Sequence, residues 1–149
     1  MRFNNYINEV LKIDKSLVHG RKIRKSLWTY TGNVEVEDGD NIMVFVEMKY
    51  LVSLHPPTWL VSFAAQDNKF EALRSRITMK ETIKILNIVA SAFDDFLQKE
   101  KPKKFEFFEA THMKGGMKLY TKFAEHILKN YPYKRKDLGN NKVFHFVRK

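Results

Sequence analysis

The hydrophobic positions of the chain fall into two periods. Over Thr78–Leu97 the apolar residues Met79, Ile83, Leu86, Val89, Ala90, Phe93 and Phe96 recur at three- and four-residue spacings. That is the stripe of an amphipathic helix. Thr78, followed three residues later by Glu81, predicts a capping box at its start. Lys80, Lys84, Asn87, Ser91 and Asp95 form the expected outer face, and the adjacent Asp94 and Asp95 are expected on the surface. Two-residue alternation predicts strands elsewhere. Leu27–Glu37 and Ile42–Met48 flank Asp38-Gly39 and predict a hairpin. Met43, Phe45 and Met48 fall on both faces of the second strand, so it is expected to be central and buried on both sides. A third strand is expected from Thr58 or Trp59 to Ala65, after the break at Pro56-Pro57.

A helix of some twenty residues between two strands is a crossover connection, so the strand Phe105–Ala110 is expected to run parallel to an earlier one. Gly115-Gly116 opens a second helix with Met117, Tyr120, Phe123, Ala124 and Ile127 inside, ending before Tyr131. Val143–Val147 makes a last strand, with Phe105, Phe107, Phe144 and Phe146 as core. The resulting order, β-β-β-α-β-α-β, predicts an α+β domain with a mixed, largely antiparallel sheet and two long helices. An amphipathic helix is expected within residues 1–14, from Phe3, Tyr6, Ile7, Val10 and Leu11, and a basic loop over 15–25. Residues 26–149 form the core of a single domain, 1–149.

Composition supports a packed domain, with 44% hydrophobic and 13% aromatic residues. No apolar run approaches the ~20 residues of a membrane span, and the start lacks the layout of a signal peptide. A cytoplasmic protein without membrane partners is expected. The chain has no cysteine, which excludes disulfides and thiolate metal sites. The five histidines form no His-x-x-x-His or Glu-x-x-His pair, so no metal site is expected.

Charge alters the picture most: 27 Lys+Arg face 17 Asp+Glu, a formal +10. Such a balance favours polyanions, although a solvated lysine-rich surface also produces it. The candidate polyanion-binding residues are Lys15, Arg21, Lys22, Arg24 and Lys25 around Gly20, and Lys134, Arg135 and Lys136 near the end, with Lys99–Lys104 as a third basic tract. Tyr131 and Tyr133, beside Lys129 and Lys134, are candidates for base stacking or for simple packing. Glu109 and His112 follow a strand end, where they can serve as an acid/base pair with Gly115 and Gly116 admitting a ligand, or lie in a loop whose glycines only start a helix. No P-loop, nucleophile elbow, kinase signature or dinucleotide fingerprint occurs.

The succession strand, helix, strand, helix with a Leu119-Tyr120 step, after the strand ending Phe108-Glu109-Ala110, resembles the C-terminal two-thirds of a GNAT acyltransferase. The resemblance covers roughly residues 40–149. It implies a GNAT-like topology, acetyl-CoA as cofactor, and Tyr120 as the acid for the leaving thiolate. The family holds the cofactor pyrophosphate on a glycine-rich turn before the central helix, and glycines let backbone N–H groups approach an anion closely. This chain has no glycine between Gly39 and Gly115. The opening Phe3-Asn4-Asn5-Tyr6-Ile7-Asn8-Glu9 is similar to the starts of tailed-phage proteins. Together these features imply a phage-encoded, non-catalytic basic binding or assembly protein without a cofactor, contacting nucleic acid or an acidic protein. Two alternatives stand beside it: an acyltransferase with an altered cofactor site, and a virion structural or internal component, with homo-oligomer or virion partners. The corresponding compartment is host cytoplasm or virion.

Overall fold

The computed structural model describes residues 12–35, 41–54, 56–66, 79–108, 124–136 and 143–149. Seven strands form one sheet: β1 (His19–Arg24), β2 (Leu27–Glu35), β3 (Asn41–Leu51), β4 (Thr58–Gln66), β5 (Lys104–Phe108), β6 (Tyr133–Lys136) and β7 (Val143–Arg148). Their order is β1-β2-β3-β4-β5-β7-β6. β4 and β5 are parallel, and all other neighbours are antiparallel. Helix α1 (Met79–Glu100) makes the crossover from β4 to β5. A second helix, α2, is described over residues 124–130. The fold is α+β with a mixed, mostly antiparallel sheet, as the periodicity predicts.

The core sits between one face of this sheet and α1. Trp28, Tyr30 and Val34 of β2, Val44, Val46 and Met48 of β3, and Trp59 and Val61 of β4 are buried against it. Phe105 and Phe107 of β5 and Phe146 of β7 stack on the same side, with ring centroids 4.9 and 5.7 Å apart for the two β5–β7 pairs. Burying each such ring stabilises the fold by roughly 1.5–3 kcal/mol. Ala124 and Ile127 of α2 belong to this core, so both helices lie on one face. Close approach fixes two glycines. A Cβ on Gly20 would lie 2.3 Å from the Tyr30 ring, and one on Gly32 would lie 2.6 Å from Ile88 Cγ2 of α1.

Four expectations need correction. The basic loop over 15–25 is a short 3-10 turn (Lys15–Leu17) and an edge strand, β1, whose six residues are all exposed. A strand bare on both faces shows no alternation. Likewise the tract Lys134–Lys136 is part of β6, the other edge. β3 is central but buried on one face only: Val44, Val46 and Met48 point inward while Phe45, Glu47 and Lys49 are exposed, because both helices cover the same side.

Finally, α1 is covered on both flanks, so its supposed outer face is partly internal. Residues 12–18 run along one flank, where Lys12 N donates to Asn87 Oδ1 (2.9 Å) and Asp14 N to Ser91 Oγ (2.9 Å). Ser91 is fully buried and Asp95 is 6% exposed. Asp95 accepts a 2.7 Å bond from Tyr30 Oη, and Asp94, on the opposite flank, accepts from Tyr131 Oη. The Thr78 cap, the Asp38-Gly39 turn, residues 1–11 and the second helix's Met117, Tyr120 and Phe123 lie outside the described residues.

Candidate functional site

The sheet order carries three separate basic tracts to one place. A cleft of about 900 Å³ opens at the end of the sheet where β4 and β5 begin and α1 stops. Lys25 enters it from the β1–β2 turn, Lys101 and Lys103 from the α1–β5 link, Lys104 from β5 and Lys136 from β6. Tyr50 and Trp59 meet at its apolar wall with ring centroids 5.1 Å apart, and Pro56 and Pro57 close one side. Trp59 is held from behind, edge-on to Phe96 at 5.1 Å.

Backbone hydrogen bonds make the walls rigid. Tyr50 N donates to Ser26 O at 2.8 Å, Arg148 N to Lys103 O at 2.9 Å and Lys149 N to Pro132 O at 2.8 Å. The Tyr133 hydroxyl donates to Pro102 O at 2.6 Å. Glu100 is the one carboxylate among the described lining residues, and it already holds Lys22 at 3.2 Å. The cleft is therefore strongly positive. Part of this charge answers the α1 C-terminus, whose carbonyl end favours cations by about 0.3–1 kcal/mol each. Helix-end compensation reaches only the last turn, so it does not account for Lys25 or Lys136.

Lys101 shows a second anomaly. Its φ is 49°, the single positive φ among the described non-glycine residues. Its N–H closes α1 on Leu97 O at 3.2 Å, in the position where glycine usually ends a helix. A lysine there costs roughly 1–2 kcal/mol of backbone strain.

Other predicted binding residues are divided among different tasks. Lys15 Nζ donates to Gln98 Oε1 at 3.2 Å and lies 4.0 Å from Asp95. Lys99 pairs with Asp95 at 3.1 Å. Lys22 and Lys99 both sit over the Trp28 ring, at 5.4 and 5.9 Å. These three cations are tied to α1 and its neighbours. Arg21 and Arg24 stand exposed on β1, and Lys134 and Arg135 on β6. Of the first and last tracts, Lys25 and Lys136 alone reach the cleft, where Lys101, Lys103 and Lys104 of the middle tract join them. Glu109, His112 and Tyr120 lie outside the described residues.

The tyrosines near the basic tracts serve packing. Tyr133 is 3% exposed, edge-on to Phe105 at 5.0 Å, and burial pushes its hydroxyl up to about 12. Tyr131 is raised by burial and then by Asp94, and Tyr30 by burial and then by Asp95. All three stay protonated donors, and none is free to stack on a base. One pairing had no sequence signal: His145 Nδ1 lies 2.8 Å from Glu106 Oε1 across β7 and β5. Their strand register, Glu106 opposite His145, brings them together. Among the described residues no group of three His, Asp or Glu side chains is placed to hold a metal, and no helix is long and apolar enough to cross a membrane.

No protein-family model matches the chain, and no curated protein or solved structure matches it. The reading of the site therefore stands on its geometry.

Proposed function

We propose that the protein is a non-catalytic nucleic-acid-binding protein whose lysine cleft takes the phosphate backbone. The convergence of Lys25, Lys101, Lys103, Lys104 and Lys136 on one concave site carries this reading. Ammonium groups act on phosphate as point charges and need no planar partner, which suits a flexible chain of phosphates. The strained Lys101 supports it further, because glycine would close the helix at lower cost. The scaffold is GNAT-like in this reading: β4, α1, β5 and α2 follow in the family's succession, with β4 and β5 parallel. Acyl transfer draws on Tyr120, Glu109 and His112, none of which adds support from the described residues. Phage origin rests on the resemblance of the opening residues and of the Lys118-Leu119-Tyr120 step to tailed-phage proteins.

Binding measured against salt tests the reading. Five phosphate contacts give a slope of log K on log salt of about −3.5 for a single strand and about −4.5 for duplex. A flat response, or no binding at ~50 mM salt, refutes it. Binding of an acidic protein with no binding of nucleic acid would assign the cleft to a protein partner instead.

A further inference from the structure

The face of the sheet opposite the helices carries a second feature. Phe45 projects from the middle of this face and is 36% exposed. Its neighbours across the strands are Thr31 on β2 and Ala64 on β4. The adjacent row is Thr29, Glu47 and Ser62. Together these side chains line a depression of about 300 Å³. It combines an aromatic plane with three hydroxyls and a carboxylate.

Cations stand at the rim. Arg21 is paired in register with Thr29, and Arg24 with Leu27, which in turn faces Lys49. Arg21, Arg24 and Lys49 are exposed, and neither they nor Glu47 make an ion pair among the described residues. Strand alternation places Lys104 and Lys136 on the same face, opposite in side to the buried Phe105 and Tyr133. Two of the cleft lysines thus stand on the same side of the sheet as the depression.

We infer that the open sheet face holds an unpaired nucleobase of a single strand, stacked on Phe45. Glu47 accepts from an exocyclic amino group, as carboxylates do from cytosine N4. Thr29, Thr31 and Ser62 meet the remaining edge, and the flanking phosphates meet Arg21, Arg24 and Lys49. A paired base inside a duplex cannot offer its face to the ring, so the site selects single strands. The inference rests on the nucleic-acid reading of the cleft and adds the state of the strand that the cleft receives.

Fluorescence anisotropy decides it, with a labelled DNA strand of about 15 nucleotides, its RNA counterpart and the corresponding duplex, the length being near the upper end of a usual footprint. The expected result is tighter binding of the single strands than of the duplex. Phe45→Ala weakens single-strand binding by roughly 5- to 150-fold, leaves the duplex unaffected, and Phe45→Trp restores the preference. Lys101→Ala with Lys104→Ala weakens single strand and duplex alike. Equal binding of strand and duplex, or Phe45→Ala within twofold of wild type on every single strand, overturns the inference while leaving the cleft reading intact. Failure of the wild type to bind any of the probes overturns both. Phe45 is exposed, so its replacement is compatible with folding, and an unchanged melting temperature verifies that.

Discussion

Replacing Lys101 with glycine should stabilise the protein and weaken its binding at the same time. The residue holds φ at 49° while its N–H caps α1 on Leu97 O. A side chain in the left-handed region costs roughly 1–2 kcal/mol, which glycine does not incur. Glycine also frees the unfolded chain, at a cost of about 0.5–1 kcal/mol. The mid-values differ by about 0.75 kcal/mol in favour of glycine, which is ~1.5–3 °C in Tm for a domain of this size. Lys101→Ala separates strain from charge, because alanine keeps the Cβ and loses the ammonium. It should leave stability near wild type. Both variants should flatten the salt dependence of nucleic-acid binding by about 0.7–0.9 in slope, one phosphate contact. Urea unfolding and anisotropy titrations at several salt concentrations measure the two effects. If glycine stabilises no more than alanine does, the strain argument is wrong. If the slope is unchanged in both, Lys101 does not meet phosphate.

Tyr30→Phe removes the buried 2.7 Å bond to Asp95 and should cost about 1.5–3 kcal/mol in urea unfolding, since the acceptor is charged. A loss under about 0.5 kcal/mol would show that Lys99 alone satisfies the carboxylate. Gly32→Ala sets a Cβ 2.6 Å from Ile88 Cγ2 and 3.0 Å from Leu17 O, and should cost about 1–3 kcal/mol. Ile88→Ala should recover part of that in a double-mutant cycle, and strictly additive losses would place the strain elsewhere. His126 is held below its usual 6.5 by burial, with Lys129 acting in the same direction and Asp94 opposing. The unfolded chain then binds the proton more readily, so this contribution to stability is present above 6.5 and falls as pH drops through that value. His126→Leu should therefore flatten the pH dependence of unfolding free energy below about pH 6.5, and parallel wild-type and variant curves would count against the shift.

The elements legible in the sequence are those with one buried and one open face. β2, β4, β5, β7 and α1 each declare themselves by period, and the parallel pairing of β5 follows from the length of α1. β1 and β6 do not, because an edge strand exposed nearly all round has no apolar alternation. Phe45 misled in the opposite direction: its apolarity reads as burial, whereas it is exposed on the side of the sheet away from the described helices. Asp94 and Asp95 read as surface because adjacent helical positions diverge. Nothing local reveals that residues 12–18 and 131 cover both flanks. The basic tracts are visible as charge, but their meeting depends on the order β4-β5-β7-β6, set by pairings between distant segments. Tyr50 and Trp59 carry no sequence signal of a site, since each fits an ordinary core-facing strand position.

The distribution of positive charge separates maintenance of the fold from binding. Lys15, Lys22 and Lys99 neutralise acidic groups of α1, so structure alone explains them. Arg21, Arg24 and Lys134 stand on short edge strands, where charge discourages pairing with another chain's strand. Edge protection requires charge but not one particular sign, and both edges of this sheet are basic. Lys25, Lys101 and Lys103 belong to neither class: they lie off the strands and have no ion pair among the described residues. One of them occupies a backbone conformation that lysine adopts only at a cost. These three lysines, which neither pair with a carboxylate nor stand on an edge strand, all line the cleft. The uniform sign of the two edges extends their field across the sheet toward it, as expected of a surface that draws in a polyanion.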